Sequence, residues 1–120
     1  MTEVIKLDSI ERWEELKKNL TPPGELLIFK FSPACPISSM VEGDLNTWLT
    51  QLPEDYNLII AKLDVVESKE VSTKVAADLG IKHESPQAIW LTGDFKVKWH
   101  GSHYEINRNK LKANLNKVIS

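Results

Sequence analysis

The segment "FKFSPACPISSM", residues 29–40, joins the end of an apolar run to a stretch with helical spacing, and it holds the only cysteine of the chain. Prolines stand on both sides of Cys35, at Pro33 and Pro36. Proline is favoured at the first position of a helix, because that position needs no N–H and the proline φ angle is already helical. The segment therefore predicts a strand-to-helix junction, with Cys35 at the start of the helix.

Apolar periodicity predicts further strands and helices on both sides of this junction. The run "ELLIFKF", residues 25–31, is mostly apolar, as expected for a central strand covered on both faces. A helix should run from Cys35 to about Leu52, where Pro53 ends it. Elsewhere the pattern predicts a helix from about Asp8 with a capping box formed by Asp8 and Glu11, a strand in "YNLIIAKLDV" (56–65), a helix in "SKEVSTKVAADLG" (68–80) with Gly80 as its C-cap, and a last helix from about Asn107 with Leu111, Leu115, Val118 and Ile119 inward.

The last third of the chain predicts a β-hairpin. The strands "QAIWLT" (87–92) and "FKVKWHG" (95–101) are separated by the turn dipeptide Gly93-Asp94. Apolar and polar residues alternate in the second strand, which is typical of a strand covered on one face. The predicted inward set is Phe95, Val97 and Trp99, and the outward set is Lys96, Lys98 and His100.

The order of elements predicts an α/β fold. Strands joined through helices should pair in parallel by right-handed crossovers, and the hairpin adds an antiparallel pair. The simplest packing is a single domain over residues 1–120, with a four-stranded mixed sheet flanked by helices on both faces. This is the thioredoxin-like arrangement, in which the junction at Cys35 carries the chemistry. Trp13 and Trp48 fall on apolar helix stripes and should pack in the core.

The composition restricts the classes of function. The chain has 120 residues with 42% apolar content, which suits one domain with one core. Its net charge of −2 lacks the basic surplus of a general nucleic-acid binder, and no run approaches the roughly 20 apolar residues of a membrane span. The acidic N-terminal "MTEVIKLDSI" does not resemble a signal peptide, and one cysteine cannot form an internal disulfide. We therefore expect a cytoplasmic protein with no nucleic-acid or membrane partner.

A thiol at the start of a helix is activated. Only the thiolate is nucleophilic, and a helix N-terminus stabilises it with unpaired N–H groups and a partial positive charge, so the pKa of Cys35 should fall. Ser38 lies on the same side of the first turn, where its hydroxyl can donate a hydrogen bond to the sulfur. The pattern "CPIS" is also a Cys-x-x-Cys motif with serine in the second position. Because Ser38 cannot resolve a mixed disulfide, the pattern favours a monothiol mechanism in which a separate thiol releases Cys35.

Ser85-Pro86 is the second predicted element of the site, directly before the strand "QAIWLT". In thioredoxin-like proteins, the loop that faces the cysteine carries a cis-proline at this place. The cis bond presents the backbone of the preceding residue to an incoming peptide or thiol. The sequence by itself leaves the isomer open, because only about one in twenty X-Pro bonds is cis in folded proteins.

Three segments, "FKFSPACPISSM", "KHESPQAIWL" (82–91) and "VKWHGSHYEI" (97–106), resemble the monothiol bacilliredoxin family of small thioredoxin-fold proteins. The resemblance implies a thiol-disulfide oxidoreductase that removes bacillithiol from S-bacillithiolated cytosolic proteins. The cysteine that matches Cys35 would attack the mixed disulfide and then carry the bacillithiol. No bound cofactor is implied: bacillithiol is the thiol co-substrate, and a separate thiol or disulfide reductase regenerates the cysteine.

Charged residues near the site are candidates for binding bacillithiol, whose malate group carries carboxylates. The helix N-terminus can hold an anion, and we expect Lys30 or Lys82 to add positive charge. His83 lies near the predicted cis-proline loop, and it is either a contact residue or an exposed loop histidine. Glu84 either steers the choice of client protein or is a surface charge.

Two other interpretations of Cys35 have to be considered: an inert packing residue and a zinc ligand. Cys35 is either reactive or an inert packing residue, since free cysteine is among the most often buried residue types. His83, His100 and His103 together with Cys35 suggest zinc. A strand end followed by a turn does not bring the last two imidazoles together dependably, so we expect no metal.

At the level of function, two alternatives to the oxidoreductase stay open. One is a glutaredoxin-like iron–sulfur carrier, and the other is a non-catalytic thioredoxin-fold binding module. Monothiol glutaredoxins that carry clusters have a flexible glycine after the cysteine, where this chain has Pro36. The motif therefore favours thiol exchange over cluster binding.

Overall fold

The computed structural model of the chain describes residues 2–115 and contains a five-stranded mixed sheet with helices on both faces. The strands are β1 (Thr2–Lys6), β2 (Glu25–Phe31), β3 (Leu58–Asp64), β4 (Gln87–Leu91) and β5 (Val97–Ser102). The helices are α1 (Ile10–Asn19), α2 (Pro36–Leu49), α3 (Lys69–Leu79) and α4 (Arg108–Asn114), with a 3₁₀ turn at His103–Glu105.

The sheet has the order β1-β3-β2-β4-β5, which places β2 at its centre. β1 and β2 run parallel to β3, whereas β4 runs antiparallel to β2 and to β5. Lys30, near the end of β2, lies opposite Gln87 at the start of β4. The loop that follows β2 and the loop that precedes β4 therefore lie at the same end of the sheet, where β2 ends and β4 begins.

β1 is absent from the predicted order of elements, and the prediction of four strands is wrong. Only Val4 and Ile5 of β1 are apolar, and most of its side chains are exposed. The strand is held by parallel backbone pairing to β3, with Thr2 opposite Leu58. An edge strand of this kind buries little apolar surface, so its sequence carries little periodic signal.

The first two helices differ from their predicted limits by a few residues. α1 begins after Ser9, whose Oγ accepts a hydrogen bond from the Arg12 N–H at 3.1 Å. The capping box predicted from Asp8 therefore begins one residue too early. α2 ends at Leu49 rather than near Leu52.

The last two helices agree with the prediction where the structure describes them. α3 ends at Gly80, which has the left-handed φ of 66° expected of a C-cap glycine. Leu111, predicted to face inward from α4, is buried. The predicted inward positions Val118 and Ile119 lie outside the described residues.

The sheet separates two apolar cores. Leu27 and Phe29 of β2 face the core that α2 and α4 cover, while Leu26 and Ile28 face the core that α1 and α3 cover. All four side chains are fully buried. The apolar run of β2 is therefore the central strand that its composition predicts.

The predicted core packing of the helix tryptophans is confirmed. Trp13 packs in the core under α1 and α3, and Trp48 packs in the core under α2. The Trp48 ring meets Trp90 edge-on, with ring centroids 5.3 Å apart. These rings fill the interior of the two cores.

A β-bulge changes the predicted alternation of β5. Val97 lies opposite Leu91 and Trp99 lies opposite Trp90, so Lys98 is the extra residue between the two pairs. Val97 and Trp99 consequently pack on different cores, and Lys98 is only 2% exposed. The predicted outward position of Lys98 is therefore wrong, because an extra residue in one strand shifts the two-residue period.

Candidate active site at Cys35

Cys35 is the N-cap residue of α2. Its backbone is extended, with φ −95° and ψ 119°, and Pro36 stands in the first helical turn. The thiol is half-buried. Its pKa lies below the ordinary value, mainly because the backbone N–H of Ser38 stabilises the thiolate; the Ile37 N–H and the Ser38 hydroxyl add to this, and partial desolvation opposes it. The junction therefore holds an accessible thiol with increased thiolate character.

Ser38 is buried in the first turn of α2 and is 3% exposed. Its Oγ accepts a hydrogen bond from the Ser32 N–H at 3.2 Å. Because this bond uses the oxygen as an acceptor, the hydroxyl proton remains available for the sulfur of Cys35. Ser38 thereby connects the loop before the thiol with the helix after it.

Ser85 and Pro86 lie in the loop before β4, at the same end of the sheet as the loop that holds Cys35. The peptide bond between them is cis. Pro86 is buried, and its carbonyl accepts a hydrogen bond from the His103 N–H at 3.0 Å. The Ser85 Oγ is buried and has no hydrogen-bond partner within residues 2–115. The structure thus decides the isomer that the sequence leaves open.

Lys30 is fully buried and does not present its charge at the surface. Its Nζ donates a hydrogen bond to the carbonyl of Ser72 at 3.3 Å and lies 3.3 Å from Nδ1 of His83. Burial lowers the pKa of Lys30 to about 8. The ammonium group is therefore directed into the protein, on the side of the sheet that α3 covers.

The three residues before Ser85 lie in different environments. Lys82 is exposed, and its carbonyl accepts a hydrogen bond from the Gln87 side chain at 2.9 Å. His83 is exposed overall, although its Nδ1 lies 3.1 Å from the Ser72 Oγ. Glu84 accepts a hydrogen bond from the hydroxyl of Ser102 at the end of β5. Of the two lysines expected near the site, Lys82 is the one at the surface.

Within residues 2–115, no group of three or more histidine, cysteine, aspartate or glutamate side chains is arranged to hold a metal ion. His100 lies on β5, and His103 begins the 3₁₀ turn with a left-handed φ of 54°.

Within residues 2–115, every helix is too short or too polar to cross a membrane.

The sequence profile of the family described as "Monothiol bacilliredoxin BrxC" matches residues 5–111. The chain belongs to the monothiol bacilliredoxin family. The matched region runs from β1 into α4 and includes Cys35, Ser38 and Pro86. The single cysteine of this bacilliredoxin fits the monothiol type.

Solved structures share the fold of this bacilliredoxin. A protein described as having a thioredoxin fold is 28% identical, with a TM-score of 0.76 over 92% of each chain. Thioredoxin from Fasciola hepatica is 18% identical, with a TM-score of 0.69 over 92% of this chain and 94% of that chain. Thioredoxin from Trypanosoma brucei brucei is 15% identical, with a TM-score of 0.71 over 96% and 93%. The predicted α/β thioredoxin-like class is confirmed, with five strands in the sheet.

Ser72 and Ser102 support the cis-proline loop, although their sequence positions do not indicate this. Ser72 lies inside α3 and contacts His83, which is 11 positions away. Ser102 ends β5 and contacts Glu84, which is 18 positions away. Ser102 belongs to a capping box with Glu105, but nothing local in the sequence links either serine to the cis-proline loop, so the tertiary structure is needed to find these contacts.

Proposed function

We propose that this bacilliredoxin removes bacillithiol from S-bacillithiolated proteins by thiol–disulfide exchange at Cys35. The observation that carries the proposal is the position of the single cysteine at the N-terminus of α2, where the Ser38 N–H lowers the pKa of its thiol. The family match supports bacillithiol as the thiol that is exchanged.

In the first step, the Cys35 thiolate attacks the bacillithiol sulfur of a client's mixed disulfide. A Cys35–bacillithiol disulfide bond forms while the disulfide bond to the client breaks. The client cysteine leaves as a thiolate and takes a proton from water. Cys35 is oxidised to the disulfide level and the client cysteine is reduced, so electrons balance without a redox cofactor.

The second step needs another thiol, because Ser38 stands where a dithiol protein has its resolving cysteine. A free thiol such as bacillithiol attacks the bacillithiol sulfur on Cys35. This step forms bacillithiol disulfide and releases the Cys35 thiolate. A disulfide reductase then has to reduce the bacillithiol disulfide.

The surface around Cys35 suits an anionic thiol. The N–H groups of Ile37 and Ser38 in the first turn of α2 stabilise the Cys35 thiolate. Lys82 carries an exposed positive charge in the loop before cis-Pro86, and this charge suits the malate carboxylates of bacillithiol. We place the reaction in the cytosol, where client proteins carry reduced or bacillithiol-capped cysteines, and we assign it no nucleic-acid or membrane partner.

The first experiment is intact-mass analysis of the reduced protein after mixing with bacillithiol disulfide, with glutathione disulfide in parallel. We expect one bacillithiol adduct per chain, formed faster than the glutathione adduct. The same protein should remove bacillithiol from a modified client, with the client thiol and the adduct on Cys35 appearing together.

The matched control is Cys35→Ser, which keeps the size of the side chain but removes the nucleophile. We expect this variant to fold normally and to form no adduct. Adduct formation by Cys35→Ser, or a wild-type protein that stays unmodified by either disulfide, would contradict the proposal. A glutathione adduct that forms faster than the bacillithiol adduct would contradict the assigned thiol but not the nucleophile.

A further inference from the structure

Lys30, Ser72 and His83 form a polar cluster, here called the Lys30 cluster, on the α3 side of the sheet. The Lys30 Nζ lies 3.3 Å from the Ser72 carbonyl and 3.3 Å from Nδ1 of His83. The Ser72 Oγ lies 3.1 Å from the same Nδ1. Lys30 is 0% exposed, so these groups replace the water that an ammonium group needs as hydrogen-bond acceptor. The thiol exchange described above does not use this cluster directly.

The Lys30 cluster determines the proton position on the His83 ring. A protonated lysine only donates hydrogen bonds, so the Nδ1 that faces it has to accept. An accepting Nδ1 carries no proton, and the neutral ring then has its proton on Nε2. Lys30 from β2 and Ser72 from α3 lie within hydrogen-bond distance of this ring, while Glu84 from the same loop bonds Ser102 and acts on the ring through its charge. Burial and the Lys30 charge lower the pKa of His83 and favour the neutral ring, while Glu84 opposes them.

The loop of His83 also lies at the end of the sheet that carries the Cys35 loop. His83 precedes cis-Pro86 by three residues, and Gln87 after it pairs with Lys30 in β2. The chain of β2 then leads directly into the loop of Cys35. Nδ1 faces the Lys30 cluster while the residue is exposed overall, so we infer that the opposite edge of the ring, with Nε2, is the part that reaches solvent.

We propose that Lys30 is a positioning residue, which holds His83 as the neutral imidazole with its proton on Nε2, and that this N–H donates a hydrogen bond to a carboxylate of the incoming bacillithiol disulfide. The inference rests on the proposed function. Lys30 acts on His83 and not on the thiol, because the groups that lower the pKa of Cys35 belong to the first turn of α2. Loss of Lys30 should therefore leave the thiol pKa unchanged.

The first test is heteronuclear NMR of the histidine ring nitrogens in the wild type and in Lys30→Met, with His83 assigned by its disappearance in His83→Gln. We expect the proton on Nε2 in the wild type. In Lys30→Met we expect a mixture of tautomers and a higher His83 pKa. Identical nitrogen shifts and an identical titration in both proteins would overturn the inference.

The second test compares two disulfides of different charge, with the rate of adduct formation as the readout. Bacillithiol disulfide carries carboxylates, while 2-hydroxyethyl disulfide carries none. At a pH where His83 is neutral, Lys30→Met should react roughly two-fold more slowly with bacillithiol disulfide, because only part of its tautomer mixture keeps the Nε2 proton, and at an unchanged rate with 2-hydroxyethyl disulfide. Equal changes with both disulfides, or no change with either, would overturn the inference while leaving the proposed function intact.

Lys98→Met is the matched control for removing a buried lysine. Lys98 is 2% exposed, lies in the β5 bulge and forms an ion pair with Glu25. Glu25 begins β2, whereas Lys30 lies near the other end of that strand. We expect Lys98→Met to be less stable but to react with both disulfides at wild-type rates. If Lys98→Met also slowed adduct formation with bacillithiol disulfide alone, the slowing would follow from removing any buried lysine, and the inference would fail.

A pair of His83 variants tests the Nε2–H group of His83 as hydrogen-bond donor, even where Lys30→Met does not fold. The amide N–H of Gln reaches the position of Nε2, whereas the shorter Asn reaches only the position of Nδ1. We expect His83→Gln to keep the bacillithiol rate within about three-fold, and His83→Asn to lose roughly ten-fold. Equal rates for the two variants would contradict the role of the Nε2 proton.

A wild-type protein that reacts with 2-hydroxyethyl disulfide but not with bacillithiol disulfide would instead refute the proposed function, and the inference with it.

Discussion

At the scale of single residues, the reactivity of Cys35 depends on the first turn of α2. Ser38 lowers the thiol pKa in two ways, through its backbone N–H and through its hydroxyl, and the N–H has the larger effect. Pro36 in the same turn has no N–H to contribute. The activation of the thiol is therefore a local property of residues 35–38.

Ser38→Ala separates the two effects of Ser38. We expect the thiol pKa to rise, because the hydroxyl is lost, but to stay below that of a free cysteine, because alanine keeps the backbone N–H. The measurement is a pH titration of the ultraviolet thiolate absorbance, with Cys35→Ser as the blank. An unchanged titration would remove the hydroxyl from the site, and a rise to the free-cysteine value would show that the N–H is not the main cause.

At the scale of the helices, two glycines should respond to alanine in opposite directions. Gly43 lies within α2, and Gly80 caps α3 with a left-handed φ of 66°; an added Cβ meets no atom within 4 Å at either position. We expect Gly43→Ala to stabilise the protein by about 1 kcal/mol, because alanine has the higher helix propensity. We expect Gly80→Ala to destabilise it by about 1 kcal/mol, because a Cβ disfavours the left-handed conformation. Urea unfolding measures both, and changes of the same sign would contradict this account.

α1 and α3 are joined by Asp78, whose carboxylate accepts hydrogen bonds from the Trp13 Nε1 at 2.8 Å and from the ammonium groups of Lys17 at 2.7 Å and Lys74 at 3.1 Å. The Lys17 contact, followed by the Trp13 contact, holds the pKa of Asp78 far below its usual range. A lowered carboxyl pKa stabilises the folded state above the unfolded pKa of about 4, and this contribution is lost as the pH falls towards the folded pKa.

Asp78→Asn should therefore lower the free energy of unfolding by about 1 kcal/mol at neutral pH, since the carboxylate remains partly exposed. The difference from the wild type should shrink as the pH is lowered below about 4. The control is Asp44→Asn, which removes an exposed ion pair with Arg108 at 3.6 Å and should cost less than about 0.5 kcal/mol. A difference for Asp78→Asn that grows on acidification would contradict the assignment.

At the scale of the whole molecule, the buried Lys98 joins elements that are far apart in the chain. Its Nζ bonds the Glu25 carboxylate at 3.2 Å, the Tyr56 hydroxyl at 3.0 Å and the Leu115 carbonyl at 2.9 Å. Glu25 also accepts a hydrogen bond from the Trp90 Nε1 at 2.8 Å. The bulge in β5 turns Lys98 inward to these acceptors, which supply the partners that a buried charge requires.

Glu25→Gln tests this network. We expect a loss of about 3 kcal/mol in the free energy of unfolding, because a buried ammonium loses its counter-charge. The double variant Glu25→Gln with Lys98→Met should be more stable than Glu25→Gln alone, since it removes the unpaired charge as well. Urea unfolding of the four proteins forms a double-mutant cycle. Additive losses would show that Lys98 and Glu25 are not coupled.

Features that depend on neighbours within a few residues can be predicted from the sequence. The alternation of apolar strands and amphipathic helices predicts the α/β fold, because burial of one helix face and both faces of a central strand imposes those periods. The junction at Cys35 and the effect of Ser38 on its thiol are confined to one helical turn, and the family resemblance rests on the same local motifs.

Features that depend on residues far apart in the chain cannot be predicted in this way and follow from the tertiary structure. The edge strand β1 exists through its backbone pairing with β3, and Lys98 turns inward because a bulge brings it to Glu25. Lys30 interrupts an apolar strand in the sequence, and only the positions of Ser72 and His83 explain its burial. A local pattern records which side chains prefer to be buried, but it does not record which distant polar groups will be there to satisfy them.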